Sequence, residues 1–348
     1  MSEQAAPNDL IRTEPRPQCY LCGSAGEILY AGMRDRLFGV PGEWSLRKCD
    51  NADCGLVWSD PCTITEDIPK LYRTYYTHRS DNALPLRVYR WLCDGVLSAT
   101  LGYRSRGWWN RMVGKLLSHS GLLRDAFQAS ALWLPAGTGK LLDVGCGNGD
   151  FLARMKGHGW DVQGIEPDPA GAAVARERGL VVTAGILAEG TFQPASFDVV
   201  TMSHVLEHLP DPIQTLRACR QLLRPGGKLV ALTPNVESLG TQVFGRHWLG
   251  YDAPRHLLLA SPSSLRRMAV AAGFPTVHVR TSGRLAWVTW RISEPLMTTA
   301  TLRGFQLPLP YSRIPIGVAY HLREHAANLW SPVGEELVLV ARTSEDPS

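Results

Sequence analysis

From Lys140 onward, short runs of β-branched and aliphatic residues alternate with stretches in which apolar positions recur every three or four residues. That alternation predicts an α/β fold, a mostly parallel sheet with helices on both faces. The expected strands are Lys140–Val144, Asp161–Ile165, Leu180–Thr183, Phe197–Met202, Lys228–Thr233, Thr276–Thr281 and Glu335–Arg342. Gly157 with Gly159, and Gly179, are read as helix stops, since glycine adopts the left-handed conformation that ends a helix. A helix is expected from Asp211-Pro212 to Leu223, halted by Pro225-Gly226-Gly227, and another from Ser261-Pro262 to Gly273. Residues 284–334, with Trp287, Trp290, Pro308, Pro310 and Pro315, interrupt the rhythm before the last strand.

The earlier part of the chain reads differently. Residues 1–18 are polar and Pro-containing, and are expected to be a flexible N-terminus without the apolar core of a signal peptide. Residues 19–62 combine cysteines with short β-prone runs, Ile28-Leu29-Tyr30 and Leu56-Val57-Trp58, as in a small module stapled by a metal. Across 63–137, Tyr89, Leu92 and Val96, then Trp108, Met112 and Leu116, lie at helical spacing and predict a helical linker covering the substrate. The main domain is expected over 138–342, followed by a tail at 343–348.

Composition narrows the class. With 348 residues, 45% hydrophobic and 20% charged, the chain is globular, and a net charge of +4 names no partner. The local excess at Arg104, Arg106, Arg111 and Lys115 reads as a solvated helix face or a site for an anionic partner. No apolar run reaches 18 residues, so a spanning helix is not expected, which leaves peripheral membrane contact as the only membrane association considered. Clustered cysteines without an export signal point to a cytoplasmic location, where such cysteines hold metal more often than disulfides.

Leu141-Leu142-Asp143-Val144-Gly145-Cys146-Gly147-Asn148-Gly149 is an apolar strand running into a glycine turn. In an open α/β sheet, ligands bind beyond the carboxyl ends of the strands, so this turn is the place to look. A dinucleotide site needs G-x-G-x-x-G, and here the last position is Asp150, an acidic group expected to repel phosphates and welcome a cationic amine and sulfonium. Glu166 ends the second strand, placed for ribose hydroxyls in either kind of site. A turn serving only tight strand–helix packing is the plain alternative.

The motifs Leu142-Asp143-Val144-Gly145-Cys146-Gly147-Asn148-Gly149, Gly164-Ile165-Glu166-Pro167, Phe197-Asp198-Val199-Val200, His204 through Pro212 and Leu223-Arg224-Pro225-Gly226-Gly227 together resemble the class I S-adenosylmethionine-dependent methyltransferases across residues 138–342. Thr233-Pro234-Asn235, Phe244 through Trp248, Pro254 through Leu257 and Ala272-Gly273-Phe274 are similar to a bacterial branch that often carries an N-terminal cysteine module and modifies sugars, glycans or secondary metabolites. The resemblance implies a Rossmann-like seven-stranded sheet. It assigns Asp143 to orienting the loop, Gly145, Cys146, Gly147 and Gly149 to the amino-acid end of the cofactor, and Glu166 with Pro167 to the ribose. Gly185 and Ile186 would flank adenine, and Ser203 with His204 would line the methyl-donor side. The acid that many members place after the third strand is absent at Ala184-Gly185.

His204-Val205-Leu206-Glu207-His208 spells H-x-x-E-H, a zinc-protease motif, but it follows a buried strand and stops at Leu209-Pro210-Asp211-Pro212 instead of lying in a long helix. Methyl transfer requires alignment and removal of a proton from the acceptor, and histidine is the natural base near neutral pH. His256, in Tyr251-Asp252-Ala253-Pro254-Arg255-His256, is the first candidate base and His208 the second, with packing as the alternative role. Trp248, Tyr251 and Arg255 are candidate substrate contacts, Arg255 being equally suited to a structural salt bridge. Cys19-x-x-Cys22 and Cys49-x4-Cys54 supply four thiolates, a closed set for a structural zinc ion in a zinc-ribbon-like module. Cys62, Cys93, Cys146 and Cys219 lack partner spacing and are expected to be packing residues.

The reading is therefore a zinc-containing enzyme using S-adenosylmethionine to O-methylate a small molecule, sugar or glycan. A homodimer is considered, and no DNA partner is expected. An RNA methyltransferase, a non-catalytic binding protein of the same fold and a nicotinamide oxidoreductase are the alternatives. Trp287, Trp290, Tyr311, Tyr320 and Trp108-Trp109 are expected to wall the acceptor pocket.

Overall fold

The computed structural model describes residues 10–72, 84–299, 302 and 311–345, so Pro308 and Pro310 lie outside the described residues. The N-terminal module contains β1 (Thr13–Glu14), β2 (Gly26–Met33), β3 (Trp44–Cys49), β4 (Val57–Ser59) and β5 (Cys62–Thr63). β1 pairs with β5, so the placed part of the module begins before Cys19. Helices α1 (Leu84–Thr100), α2 (Trp108–Leu117) and α3 (Gly121–Gln128) follow.

The main domain then runs β6 (Lys140–Val144), α4 (Asp150–Gly157), β7 (Asp161–Glu166), α5 (Pro169–Glu177), β8 (Val181–Ala184), β9 (Phe197–Ser203), α6 (Pro212–Leu222) and β10 (Leu223–Pro234). It continues with α7 (Leu239–Phe244), β11 (Leu258–Leu259), α8 (Pro262–Ala271), β12 (Thr276–Ser282), α9 (Ala286–Thr298), α10 (Ile314–Asn328) and β13 (Glu336–Arg342). Seven of these strands form one sheet in the order β12-β13-β10-β9-β6-β7-β8, with β13 antiparallel to both neighbours. The order turns between β6 and β9, which puts the loops after those strands at the switch point where ligands bind.

The two-residue period of the strands divides the core. Leu142, Leu229, Ala231, Leu337 and Leu339 face Leu216, Cys219 and Leu222 of α6 and Leu265 and Met268 of α8. Leu141, Val230, Leu232 and Val338 face Leu152 and Met155 of α4, Ala172 and Ala175 of α5, and Leu97 of α1. The first of these cores also contains Cys19, Cys49, Cys54, Leu56 and Trp58. The module therefore shares the main domain's core.

Its sheet is also completed from elsewhere. The order is β11-β4-β3-β2, with Leu258 opposite Trp58 and Leu259 opposite Val57. Residues 19–62 thus form three of the four strands, and the fourth comes from the loop that carries His256. No described helix is long and apolar enough to cross a membrane.

Candidate functional site

The loop after β6 is shaped by three glycines with positive φ, each for a different reason. A side chain at Gly145 (φ 74°) would come within 2.5 Å of Val205, and one at Gly149 (φ 78°) would run into Leu180 and Ala175. Gly147 (φ 55°) faces open space. Gly145 and Gly149 thus permit close packing, while Gly147 leaves its backbone open to a ligand. The Gly147 amide donates to Glu166 Oε2 at 2.7 Å and the Asp168 amide to Oε1 at 2.9 Å, which fixes the buried carboxylate at the end of β7. Each oxygen keeps a second lone pair for a vicinal diol.

Asp143 is buried beneath this loop and accepts a 2.6 Å hydrogen bond from Thr201 Oγ1. Burial pushes its carboxyl up to about 7, against the pull of the Thr201 hydroxyl, and the Glu166 charge pushes the same way. Asp150 sits elsewhere. It is exposed at the start of α4 and paired with Arg178 at 2.7 Å, which corrects the expectation that it sets the charge preference of the loop. The acidic groups buried beside the loop are Asp143 and Glu166. Cys146 points into the core, where its sulfur would meet a side chain at Gly164, so only its backbone can approach a cofactor. Pro167 and Ile186 are exposed, and Gly185, open to a ligand, donates its amide to the Glu166 carbonyl at 2.8 Å.

After β9 the chain reaches Ser203 and then His204, held at φ 56°. His204 is clamped at both ring nitrogens: Nδ1 meets Glu207 Oε1 at 3.0 Å and Nε2 meets Glu336 Oε1 at 2.8 Å. Burial alone would favour neutral imidazole, but the two carboxylates prevail and raise its pKa to about 9. Burial likewise opposes ionisation of Glu207 and Glu336, and the cations His204 and Arg284 hold both near 2. With both nitrogens so engaged, His204 has no ring nitrogen left for a further partner.

His208 closes a single 3-10 turn over Leu206–His208. Its Nδ1 lies 3.0 Å from the Arg255 carbonyl and 2.8 Å from Tyr72 Oη. The His256 Nδ1 lies 2.6 Å from the Gly250 carbonyl, and the two imidazoles meet edge to face with centroids 4.7 Å apart. A carbonyl only accepts, so both Nδ1 atoms carry the proton. The Nε2 atoms have no hydrogen-bond partner among the described residues. Burial lowers the pKa of His208 to about 4, and the His256 charge acts in the same direction.

The three candidate substrate contacts are structural. Arg255 forms a two-pronged ion pair with Asp35 at 2.7 and 3.1 Å and bonds Asp252 at 2.9 and 2.5 Å, all within the interior. Trp248 donates to Glu335 at 2.7 Å, and Tyr251 packs against Trp248 and Tyr30. The aromatic wall is also placed differently. Trp290 and Tyr320 pack with Trp248 and Phe244 in a core between α9 and α10, and Tyr320 donates to Glu335 at 2.6 Å. Trp287 packs against that core, Trp108 and Trp109 project from the surface of α2, and the Tyr311 side chain lies outside the described residues. Sequence reasoning missed Asp35, Tyr72, Thr201, Arg284 and Glu336. Only Glu336 left a signal, a charge at the start of an otherwise apolar strand.

The four cysteines converge as expected. Cys19 and Cys54 sulfurs are 3.8 Å apart, Cys22 and Cys49 sulfurs 3.4 Å, and all four lie within 4.8 Å of one another. A tetrahedral zinc–thiolate site with bonds of about 2.3 Å sets sulfurs about 3.8 Å apart, so the cluster fits that ion. Burial pushes Cys19, Cys49 and Cys54 up to about 11, the state that a cation reverses by holding them as thiolates. Cys62, Cys93, Cys146 and Cys219 are buried and unpaired with other cysteines.

Comparison with known proteins finds methyltransferases. A family model described as a methyltransferase domain matches residues 118–279. Ubiquinone biosynthesis O-methyltransferases of Idiomarina loihiensis and Paraburkholderia phymatum are 38% and 36% identical over 154 and 157 residues, 40% and 41% of this chain. The matched stretch spans 63% and 68% of their lengths. Among solved structures, a Haemonchus contortus phosphoethanolamine N-methyltransferase 2 with bound S-adenosyl-L-methionine aligns over 83% of this chain and 63% of its own, at 17% identity and a TM-score of 0.45. A methyltransferase from Archaeoglobus fulgidus aligns over 68% of this chain and all of its own, at 18% identity and a TM-score of 0.43. With the glycine loop, Glu166 and the sheet order in place, and a 36%-identical relative matched over 68% of its length, the chain belongs to the class I S-adenosylmethionine-dependent methyltransferases.

Proposed function

We propose that this chain transfers a methyl group from S-adenosylmethionine to a hydroxyl oxygen of a small molecule, with sugars and glycans included in the acceptor class. The observation that carries the reading is that the Gly147–Glu166 pair follows β6 and ends β7, and His208 follows β9, all at the carboxyl ends of parallel strands, with His256 packed on His208 at 4.7 Å between ring centroids. Bound there, the cofactor supplies an electrophilic methyl carbon on a sulfonium. Glu166 takes the ribose hydroxyls, while the negative field of Asp143 and Glu166 favours the cationic amino-acid end. The acceptor hydroxyl is set against the His208–His256 pair, since His204 is occupied by Glu207 and Glu336. Oxygen as the acceptor atom is supported by the similar proteins, which are named O-methyltransferases.

The four-cysteine cluster is proposed to hold a structural zinc ion, because a closed sulfur set leaves no position for water or substrate. Calorimetric titration with S-adenosylmethionine, followed by an acceptor screen with labelled methyl donor, tests the reading. Saturable binding and label transfer to a hydroxylated small molecule are expected. Absence of binding, or a preference for a dinucleotide in the same titration, would sink it.

A further inference from the structure

We propose that Glu207, His208 and His256 form a second metal site, one that binds a divalent transition-metal cation and presents it to the acceptor hydroxyl. The inference rests on the methyl-transfer reading and adds how the acceptor is ionised. One ligand-capable atom from each of the three side chains lies within 4.8 Å of the other two. Metal–ligand bonds of about 2.1 Å draw such atoms to about 3.4 Å in a tetrahedral site, a contraction that side-chain rotation can supply.

The surroundings are those a metal-binding histidine requires. A ligating imidazole gives its other N–H to a carbonyl or carboxylate, which fixes the ring and leaves the second nitrogen bare. His256 does so toward the Gly250 carbonyl at 2.6 Å and His208 toward the Arg255 carbonyl at 3.0 Å. Glu207, wholly buried, is steadied by Thr233 Oγ1 at 3.0 Å on one oxygen and by His204 on the other. Two imidazoles and one carboxylate suit zinc, iron(II), cobalt(II) or manganese(II) better than magnesium. Three protein ligands leave a position open, the pattern of catalytic sites and the opposite of the four-cysteine cluster.

At that position the acceptor oxygen coordinates the cation, which lowers its pKa. The proton passes to bulk water. An oxygen lone pair then forms the bond to the methyl carbon as the carbon–sulfur bond breaks, its electron pair staying on sulfur to give the thioether. His208 and His256 hold the cation in this scheme and take no proton themselves.

Cobalt(II) titration of the full chain, with its cysteine cluster already loaded with zinc, tests this site. The expected result is one further cobalt per chain with visible d–d bands and no thiolate charge-transfer band. His256→Ala and Glu207→Gln abolish that signal. Thr233→Val, which removes only the support of Glu207, weakens cobalt binding about tenfold while the fold, checked by circular dichroism, is kept. Three outcomes overturn the proposal: no cobalt band, bands that persist in all three variants, or only the charge-transfer band of a cysteine site. Calorimetry with S-adenosylmethionine on the same samples separates the two readings. Cofactor binding and turnover without the cobalt site defeat the metal proposal alone, whereas loss of cofactor binding by the unmodified chain defeats the methyltransferase reading.

Discussion

Replacing Asp35 by Ala tests whether the N-terminal module holds the active-site loop. Asp35 is buried and accepts the backbone amides of Leu37, Phe38 and Val40 at 3.0, 2.9 and 3.1 Å, together with both prongs of Arg255. Breaking a buried ion pair costs about 3–5 kcal/mol, mostly through the charge left unpaired. Here Asp252 remains on the guanidinium, so the loss sits at the lower end, about 3–4 kcal/mol with the orphaned amides included. An unfolding entropy of about 2.1 cal/mol/K per residue, applied to this chain, gives about 0.7 kcal/mol/K and a drop in Tm of about 5 °C.

The assay is thermal unfolding by circular dichroism at pH 7, with turnover measured alongside, because Arg255 precedes His256 and its carbonyl orients His208. The pH dependence has a definite sign. Burial would raise the Asp35 carboxyl, but Arg255 and the loop amides depress it below its ordinary value. A depressed carboxylate stabilises fully above its unfolded pKa of about 3.9 and loses that contribution as pH falls through the folded value. The gap in Tm between wild type and Asp35→Ala should therefore be constant from pH 6 to 8 and narrow below about pH 4. A shift under about 1 °C at pH 7, or a gap that widens in acid, refutes the reasoning.

Glu166→Gln removes the charge that faces the ribose and is expected to weaken S-adenosylmethionine binding by about 10- to 100-fold in calorimetry, since hydrogen bonds to a charged group contribute about 1.5–3 kcal/mol. Asp143, pushed up to about 7, binds its proton more tightly folded than unfolded, so its ionisation costs stability as pH rises through that value. Affinity for the cationic cofactor should accordingly rise from pH 6 to 8, and Asp143→Asn should flatten that profile. Cys54→Ser should lower the zinc content measured by atomic absorption and lower the Tm of the whole chain in one transition, because Cys54 lies in the core shared with the sheet. Two separate transitions would mean that the module folds apart from it.

Main-sheet strands were legible because each satisfies a local rule. β6 was expected at Lys140–Val144 and occurs there, and the expected break at Pro225-Gly226-Gly227 is a register shift inside β10. β11 was not legible, since two leucines become a strand only by pairing with Val57 and Trp58 about 200 positions earlier. For Arg255 the sequence leaves a substrate contact and a structural salt bridge equally open for the same reason: its partner Asp35 is 220 residues away and leaves no periodic trace. The H-x-x-E-H motif illustrates the limit most clearly. On a long helix His204 and His208 would point the same way, whereas a 3-10 turn sends His204 to Glu336 and His208 toward His256. A short turn excludes the protease geometry, and the linear motif gives no sign that Glu207 and His208 meet a histidine from another loop.

That loop is positioned by the module from both sides. Before His256, Arg255 is fixed by Asp35; after it, Leu258 and Leu259 are bonded into the module's sheet. The second cysteine knuckle continues the contact, its Cys54 carbonyl accepting from Ser261 Oγ, whose side chain also caps α8. The first knuckle reaches α6 through Tyr20, which donates to Asp211. A metal ion closing the two knuckles, as proposed, would therefore stiffen the backbone on which His256 is carried. Alignment is what methyl transfer demands of the protein, and small displacements of a reacting group are costly. The cysteine module thus backs the loop that carries His256, and on the proposed reading its loss should lower turnover before it lowers cofactor affinity, because Glu166 and Gly147 are held by β7 and the β6 loop on the far side of the switch point.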